Sequence, residues 1–168
     1  MNDEIRIEPF ETKYGERVVS LILPIQQREF GIPVTLSDQP DLLDIPNFYQ
    51  NGVGNFWVAV ADEKVVGSIS LLDLANNQGA LRKMFVQEDF RGTAHGVARR
   101  LLETLLEWST EHQLHEVYLG TTAQFLAAHR FYEKHGFSEI SKTALPAAFP
   151  VMSVDSKFYM CRPAARSR

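Results

Sequence analysis

Arg91-Gly92-Thr93-Ala94-His95-Gly96 is the stretch whose residue types best suit an anion. Glycine lets backbone N–H groups close on a phosphate that a side chain would hold away. Helical spacing follows at once, with Val97, Leu101 and Leu105 on one stripe and Ala98 and Leu102 beside it. A helix N-terminus behind such a loop contributes roughly half a positive charge. No Gly-Lys-Ser/Thr follows, so this is not a P-loop, and Gly-x-Gly-x-x-Gly spacing is absent. Taken alone, two glycines at a strand-to-helix turn also fit a loop that binds nothing.

The elements around these residues follow from periodicity and turn chemistry. Leu81 to Val86 is a mostly apolar run of strand length, and Glu88 to Arg91 is its polar exit. The helix after the loop is expected from about Ala94 to His112. Upstream, Ile5 to Glu8 alternates as a strand, and Tyr14 to Phe30 is helical in spacing. Pro24 lies inside that helix and should kink or split it. Ser37-Asp38-Gln39-Pro40 predicts a second helix start with a capping side chain, cut short by Pro46 and then Asn51-Gly52.

Asn55 to Ala61 and Val65 to Leu74 read as strands around a turn at Asp62-Glu63-Lys64. With a second turn from Ala75 to Gly79 they make an antiparallel meander. Glu116 to Thr121 is a strand reached through a crossover helix, which implies parallel pairing. Thr121 or Thr122 is placed to cap the next helix, which runs to about His135 and stops at Gly136. Phe137 to Lys142 and Ser156 to Arg162 are the last strands, with a loop from Ala144 to Pro150 between them. Residues 163–168 should form a frayed tail.

A chain of 168 residues, 45% hydrophobic and 23% charged, suits one soluble globular domain. No apolar run reaches membrane-span length, and the polar N-terminus is not a signal peptide. A net charge of -4 argues against general nucleic-acid affinity, so an anionic ligand must meet a local basic cluster. Cys161 is the single cysteine, which excludes an intramolecular disulfide and fits the cytoplasm.

The element order, taken with two local patterns, resembles the GNAT superfamily of acyl-CoA-dependent N-acetyltransferases. The superfamily signature Gln/Arg-x-x-Gly-x-Gly/Ala appears as Arg91 to Gly96. Arg91 and Gly96 match, and Ala94 replaces the first glycine, a difference of one methyl group. The second pattern, Ala-x-x-Phe-Tyr-x-x-x-Gly-Phe, appears as Ala128 to Phe137. An asparagine is common near the start of that helix; here Phe125 stands at about that place, with Gln124 beside it. The similarity covers nearly the whole chain and is strongest from Gly79 to Phe137.

The resemblance implies a single α/β domain over residues 1–168, with a mixed, mostly antiparallel seven-stranded sheet flanked by about four helices. It implies acetyl-CoA as donor substrate and a primary amine as acceptor, joined by direct attack in a ternary complex, with no metal. A bulge would splay the strand ending near Val86 from its parallel neighbour, freeing Met84, Phe85 and Val86 to pair with the pantetheine arm. Backbone N–H groups of Arg91, Gly92, Thr93, Ala94, His95, Gly96, Val97 and Ala98 would hold the pyrophosphate, with His129 also near the cofactor. Tyr132 would be the general acid for the departing thiolate, although its helical spacing with Phe125 and Ala128 equally describes a core aromatic. The same fold can also hold acyl-CoA without turnover, as a sensor or interaction module. Many members pair as homodimers.

Several side chains have two readings. Glu29, Glu88 and Asp73 are candidates for the base, and each is equally a solvated carboxylate, with Glu29 the one chosen. Lys83, Arg99, Arg100, Arg130 and Lys134 are candidates for the 3′-phosphate or for a solvated face. His112 and His115 straddle a helix end without a third ligand and read as surface residues. Asp38, Asp41 and Asp44 lie on segments that build the acceptor wall in GNAT relatives, and Asp38 and Asp41 read as capping or solvated. The acceptor is set by residues 13 to 54 and the loop 143 to 155, which carry no decodable motif.

Overall fold

Strand β2 (Asn55–Ala61) is buried along its whole length, and the sheet is built outward from it. Trp57, Ala59 and Ala61 face one core, while Phe56, Val58 and Val60 face another. Both faces are covered, so the strand reads as an almost continuous apolar run. The computed structural model describes residues 4–123 and 126–165. Seven strands form one sheet in the order β1-β2-β3-β4-β5-β7-β6. Beside β2 lie β1 (Ile5–Pro9) and β3 (Lys64–Asp73), then β4 (Gln78–Val86), all antiparallel. β5 (Glu116–Thr121) pairs parallel to β4, and β7 (Lys157–Cys161) and β6 (Ser138–Ile140) complete the sheet antiparallel.

Among the described residues five α-helices cover the two faces. On one face α4 (Val97–Glu111) lays Val97, Leu101, Leu102, Leu105 and Leu106 against β2 and β3. Truncating one of these buried leucines to alanine costs about 2–5 kcal/mol. Gly67 permits this approach, since a Cβ there would meet Leu101 Cδ1 at 3.0 Å and Val97 Cγ1 at 3.1 Å. α5 (Leu126–Lys134) shares that core through Tyr132. The other face carries α1 (Gly15–Pro24), α2 (Pro40–Leu43) and α3 (Ile45–Tyr49).

Pro24 does split its helix: beyond it the chain continues as a π-helical turn, Ile25–Glu29. The second helix start carries no side-chain cap. Gln39 occupies the N-cap position, and Asp38 instead accepts the Thr35 N–H at 3.0 Å, closing the loop before it. The β2–β3 turn is two residues, Asp62 and Glu63, with φ of 54° and 65°, the geometry that suits the twist of a hairpin. α4 begins three residues later than about Ala94, because Gly96, at φ 62°, holds the N-cap position. Thr121 lies within β5, and the Thr122 hydroxyl is buried without a hydrogen-bond partner among the described residues; the start of α5 borders residues 124 and 125, which lie outside them. Gly136, at φ 95°, ends α5 as expected. The chain from Pro163 to Ala165 closes in a 3-10 turn with Pro163 buried, and residues 166–168 lie outside the described ones.

Candidate active site

The β4–β5 seam is short. Only Gln78, Gly79 and Ala80 pair with Glu116, Val117 and Tyr118. From Leu81 onward the β5-facing edge of β4 has no ladder partner, so the two strands part like a wedge. A bulge on the other side of β4 accompanies the split. Ser70 faces Arg82 but Ser68 faces Phe85, so Lys83 and Met84 together oppose Ile69. Lys83 sits at φ 53°, which a long side chain adopts only when its surroundings hold it there. Buried serines supply that hold: Ser70 Oγ donates to the Arg82 carbonyl and Ser68 Oγ to the Lys83 carbonyl, both at 2.7 Å. Met84, Phe85 and Val86 follow along the open edge.

The loop from Arg91 to Gly96 continues from that edge. Gly92, at φ 92°, has open space where a side chain would project. Gly96 offers no side chain to cap α4, and the first ladder bond there is Arg100 N–H to the Gly96 carbonyl, at 2.9 Å. The N–H groups of Val97, Ala98 and Arg99 therefore have no intrahelical partner. Thr93 and Ala94 are exposed, and His95 is half-buried with its ring 5.2 Å from Phe90.

Arg91 is committed within the protein. Its Nε donates to the Val86 carbonyl at 2.8 Å, and both terminal nitrogens bind the Glu29 carboxylate, one of them at 2.9 Å. The side chain thus staples the end of β4 to the π-helical turn after α1. The Arg91 hydrogen bonds hold the Glu29 carboxyl below its ordinary pKa, against a smaller opposing effect of burial. A paired, acidified carboxylate is a poor proton acceptor. The other proposed bases are placed no better: Asp73 accepts the N–H groups of Ala75 and Val53, and Glu88 is exposed in a 3-10 turn.

Tyr132 is buried, 6% exposed, with Phe137 edge-on at 5.5 Å and Tyr159 at 6.3 Å. Its backbone carbonyl accepts the N–H groups of both His135 and Phe137 at 3.0 Å, the wrap that Gly136 permits. Burial alone raises the pKa of its phenol. Phe125, expected to pack on Tyr132, lies outside the described residues, as does Gln124. His129 is buried, and its Nε2 is 2.7 Å from the Thr122 carbonyl, so its polar tip ties α5 to the end of β5 rather than standing open to a cofactor.

The cations named for the 3′-phosphate are dispersed. Lys83 is buried on the α1–α3 face, 3.5 Å from Asp41 and 2.6 Å from Gln39 Oε1. Arg100 donates to the Ile5 carbonyl, and Arg99 pairs with Glu103 one turn along α4. Arg130 and Lys134 remain exposed on α5. Asp41, expected at the surface, is 4% exposed and also accepts the Tyr49 hydroxyl at 2.6 Å. Gln39 and Gln26 exchange reciprocal amide bonds beside it, at 2.9 and 3.0 Å. Asp44 accepts the Asn47 amide. His112 stacks on Trp108 with centroids 3.8 Å apart.

Two side chains that periodicity did not single out also stand at the wedge. Arg82 extends beside Phe48 and Met152, and Asp155 lies against the backbone of Gly120 on β5. Adjacent cations inside an otherwise apolar strand, Arg82-Lys83, were the available signal for the first; Asp155 sits in a loop without one.

Known proteins share this frame. A crystal structure of a GNAT-family acetyltransferase from Staphylococcus aureus Mu50 superposes with a TM-score of 0.90 at 37% identity, covering 95% of this chain and 99% of that one. An acetyltransferase from Streptococcus agalactiae gives 0.89 at 30% identity, over 94% and 98% of the two chains. The N-acetylaspartate synthetase of Xenopus tropicalis is 37% identical over 102 residues, which is 60% of this chain and 37% of that protein. The chain thus spans little more than a third of that relative's length. The model of the Acetyltransferase (GNAT) family matches residues 20–137, from the middle of α1 to the Phe137 that closes α5. That span holds the bulge, the wedge, the glycine loop and Tyr132 in one frame, and the chain belongs to the GNAT family of acetyltransferases.

Proposed function

We propose that the protein transfers the acetyl group of acetyl-CoA to a primary amine by direct attack. The observation that carries this is the β4 edge from Leu81 to Val86, unladdered toward β5 and leading straight into the glycine loop. An extended amide arm fits such an edge as another strand would, and a pyrophosphate fits the N–H groups of the loop and of the first turn of α4. The orphaned Thr122 hydroxyl at the end of β5 is a further polar group for the arm. Acetyl-CoA supplies an activated acyl group, and the protein supplies position and charge. An N–H near Phe85 or Val86 stabilises the oxyanion that forms on the acetyl carbonyl.

Tyr132 acts at the leaving sulfur. Its phenol stays protonated at working pH, since burial holds it above its ordinary value of about 10. A thiol near pKa 8.5 is the stronger acid, so complete transfer from the phenol is uphill. The role of Tyr132 is accordingly to donate a hydrogen bond to the sulfur as it gains charge. Glu29 is left out of the proton path; it holds Arg91, and Arg91 holds the loop. His129 supports the α5 frame. The single cysteine favours the cytoplasm as the setting.

Relatives named for N-acetylaspartate put an amino acid among the amines to test first. The test is thiol release from acetyl-CoA across an amine panel, with mass spectrometry of the product. Amine-dependent thiol release with an acetylated product is expected. Coenzyme A binding without turnover by any amine would make the domain a sensor instead.

A further inference from the structure

The bulge in β4 breaks the strict alternation of the strand. In a regular strand Arg82 and Lys83 would point to opposite faces. Here both reach the α1–α3 face: Lys83 meets Asp41 and Gln39, and Arg82 lies 5.8 Å from the Phe48 ring centroid. The two cations are treated differently by their surroundings. Lys83 is neutralised by Asp41 and filled by Gln39, and its side chain is only 8% exposed. Arg82 is half-buried, and among the described residues no carboxylate comes within ion-pair distance of it. Its guanidinium rests between an aromatic face and the thioether of Met152, 3.8 Å away, neither of which satisfies its charge.

We propose that Arg82 binds a carboxylate of the acceptor, so that the amine acetylated at this site is an amino acid rather than a simple amine. This rests on the acetyl-transfer reading above. A guanidinium presents a planar fork that a carboxylate fills with two parallel hydrogen bonds, which makes it the group of choice for that anion. Arg82 lies on the open side of the wedge, three residues before Phe85. That is at most about 10 Å of strand, shortened by the bulge, a gap that an arginine side chain and a small amino acid together span. Phe48 and Met152, 39% and 42% exposed, border the guanidinium. The nearby Asp155 accepts the Met152 N–H at 2.9 Å and fills the space above Gly120 on β5. Asp155, near enough for the Arg82 charge to favour its anionic form, sets an anion beside the cation, and the pair complements a zwitterion, carboxylate toward Arg82 and ammonium toward Asp155.

The experiment compares alanine and aspartate with alaninamide and ethylamine as acceptors, following thiol release from acetyl-CoA. The acids should show a kcat/KM at least tenfold above that of the amide. Arg82→Gln should raise KM for the acids roughly 10- to 100-fold, the value of a charge-assisted bond, with little change in kcat. Arg82→Lys should recover part of that loss and covers the case in which Arg82→Gln does not fold. Amide and ethylamine turned over as well as the acids would overturn the inference and leave acetyl transfer standing. A second measurement separates the two claims: the melting temperature with coenzyme A plus N-acetylalanine or N-acetylalaninamide. A shift with the acid alone, lost in Arg82→Gln, supports the carboxylate site even where no amine is turned over. Equal shifts, or none, in a protein that also shows no acid preference would overturn it.

Discussion

Removing Asp41 tests the ion pair that braces the bulge. Lys83 and Asp41 have side chains 8% and 6% exposed, with a closest N–O distance of 3.5 Å. Asp41→Ala removes the counter-charge of a buried lysine and the acceptor of the Tyr49 hydroxyl together. Breaking a buried pair from one side costs about 3–5 kcal/mol. At roughly 2–4 °C per kcal/mol for a domain of this size, the melting temperature should fall by about 6–20 °C at pH 7. Removing both charges is milder: Asp41→Ala with Lys83→Met should recover at least about 1 kcal/mol of the single-variant loss, because no charge is left stranded. Burial already holds the Lys83 amine below its usual pKa of 10.5, with Asp41 opposing that shift. The unfolded chain therefore binds more protons than the folded one between the lowered value and 10.5, and the contribution of Lys83 to stability rises with pH across that window. The Asp41→Ala deficit should accordingly shrink between pH 7 and pH 9.5, measured against Asp41→Ala/Lys83→Met to cancel the tyrosines. Chemical denaturation with coincident fluorescence and circular dichroism supplies the numbers. A loss under about 1 kcal/mol, or strict additivity of Asp41→Ala and Lys83→Met, would refute this account of the pair.

Three further outcomes follow from the site. Gly96→Asp places an anion at the N-terminus of α4 and a side chain at φ 62°, so it should abolish the rise in melting temperature that coenzyme A gives the parent; retained binding would move the phosphate site elsewhere. Tyr132→Phe keeps the ring contacts with Phe137 and Tyr159, so the protein should fold and bind acetyl-CoA while kcat drops roughly 10- to 100-fold, toward the low end of acid–base effects; full turnover would remove the hydroxyl from the mechanism. Glu29→Gln should weaken coenzyme A binding modestly through Arg91 and leave the pH profile of kcat unmoved, and a lost acidic limb in that profile would restore Glu29 as base.

Local pattern carried most of the frame. The apolar runs of β2 and β3, the glycine stop at Gly136 and the break at Pro24 are each written within a few residues, which is the range over which strand length, turn geometry and proline act. The partners of the charged groups are not local. Gln39 and Lys83 are 44 residues apart, and Glu29 and Arg91 are 62 apart, so no spacing rule brings them together. That is why Arg91 was expected at a phosphate and Lys83 at the 3′-phosphate, whereas each is held by a partner that only the fold supplies. The start of α4 was misplaced for a different reason: Ala94 and His95 are compatible with a helix, but Gly92 and Gly96 hold left-handed backbone and keep the intervening loop open. The bulge had a visible trace in Arg82-Lys83, since two adjacent cations have no place in a strand covered on both sides.

The seam between β4 and β5 has a mechanical consequence. Strands β1 to β4 form one ladder and β5, β7 and β6 another, and only the short register from Gln78 to Ala80 joins them. Beyond that register no ladder bond joins the two plates, and side chains alone hold them together, Trp57 and Leu81 sharing one core with Val117, Leu119 and Tyr159. Opening the angle widens the wedge most at its far end, near Val86 and the glycine loop, and least at the hinge. The angle of the wedge is then set by the core that the two plates share, whereas the Arg91 staple, joining β4 to the turn after α1, stiffens the first plate alone.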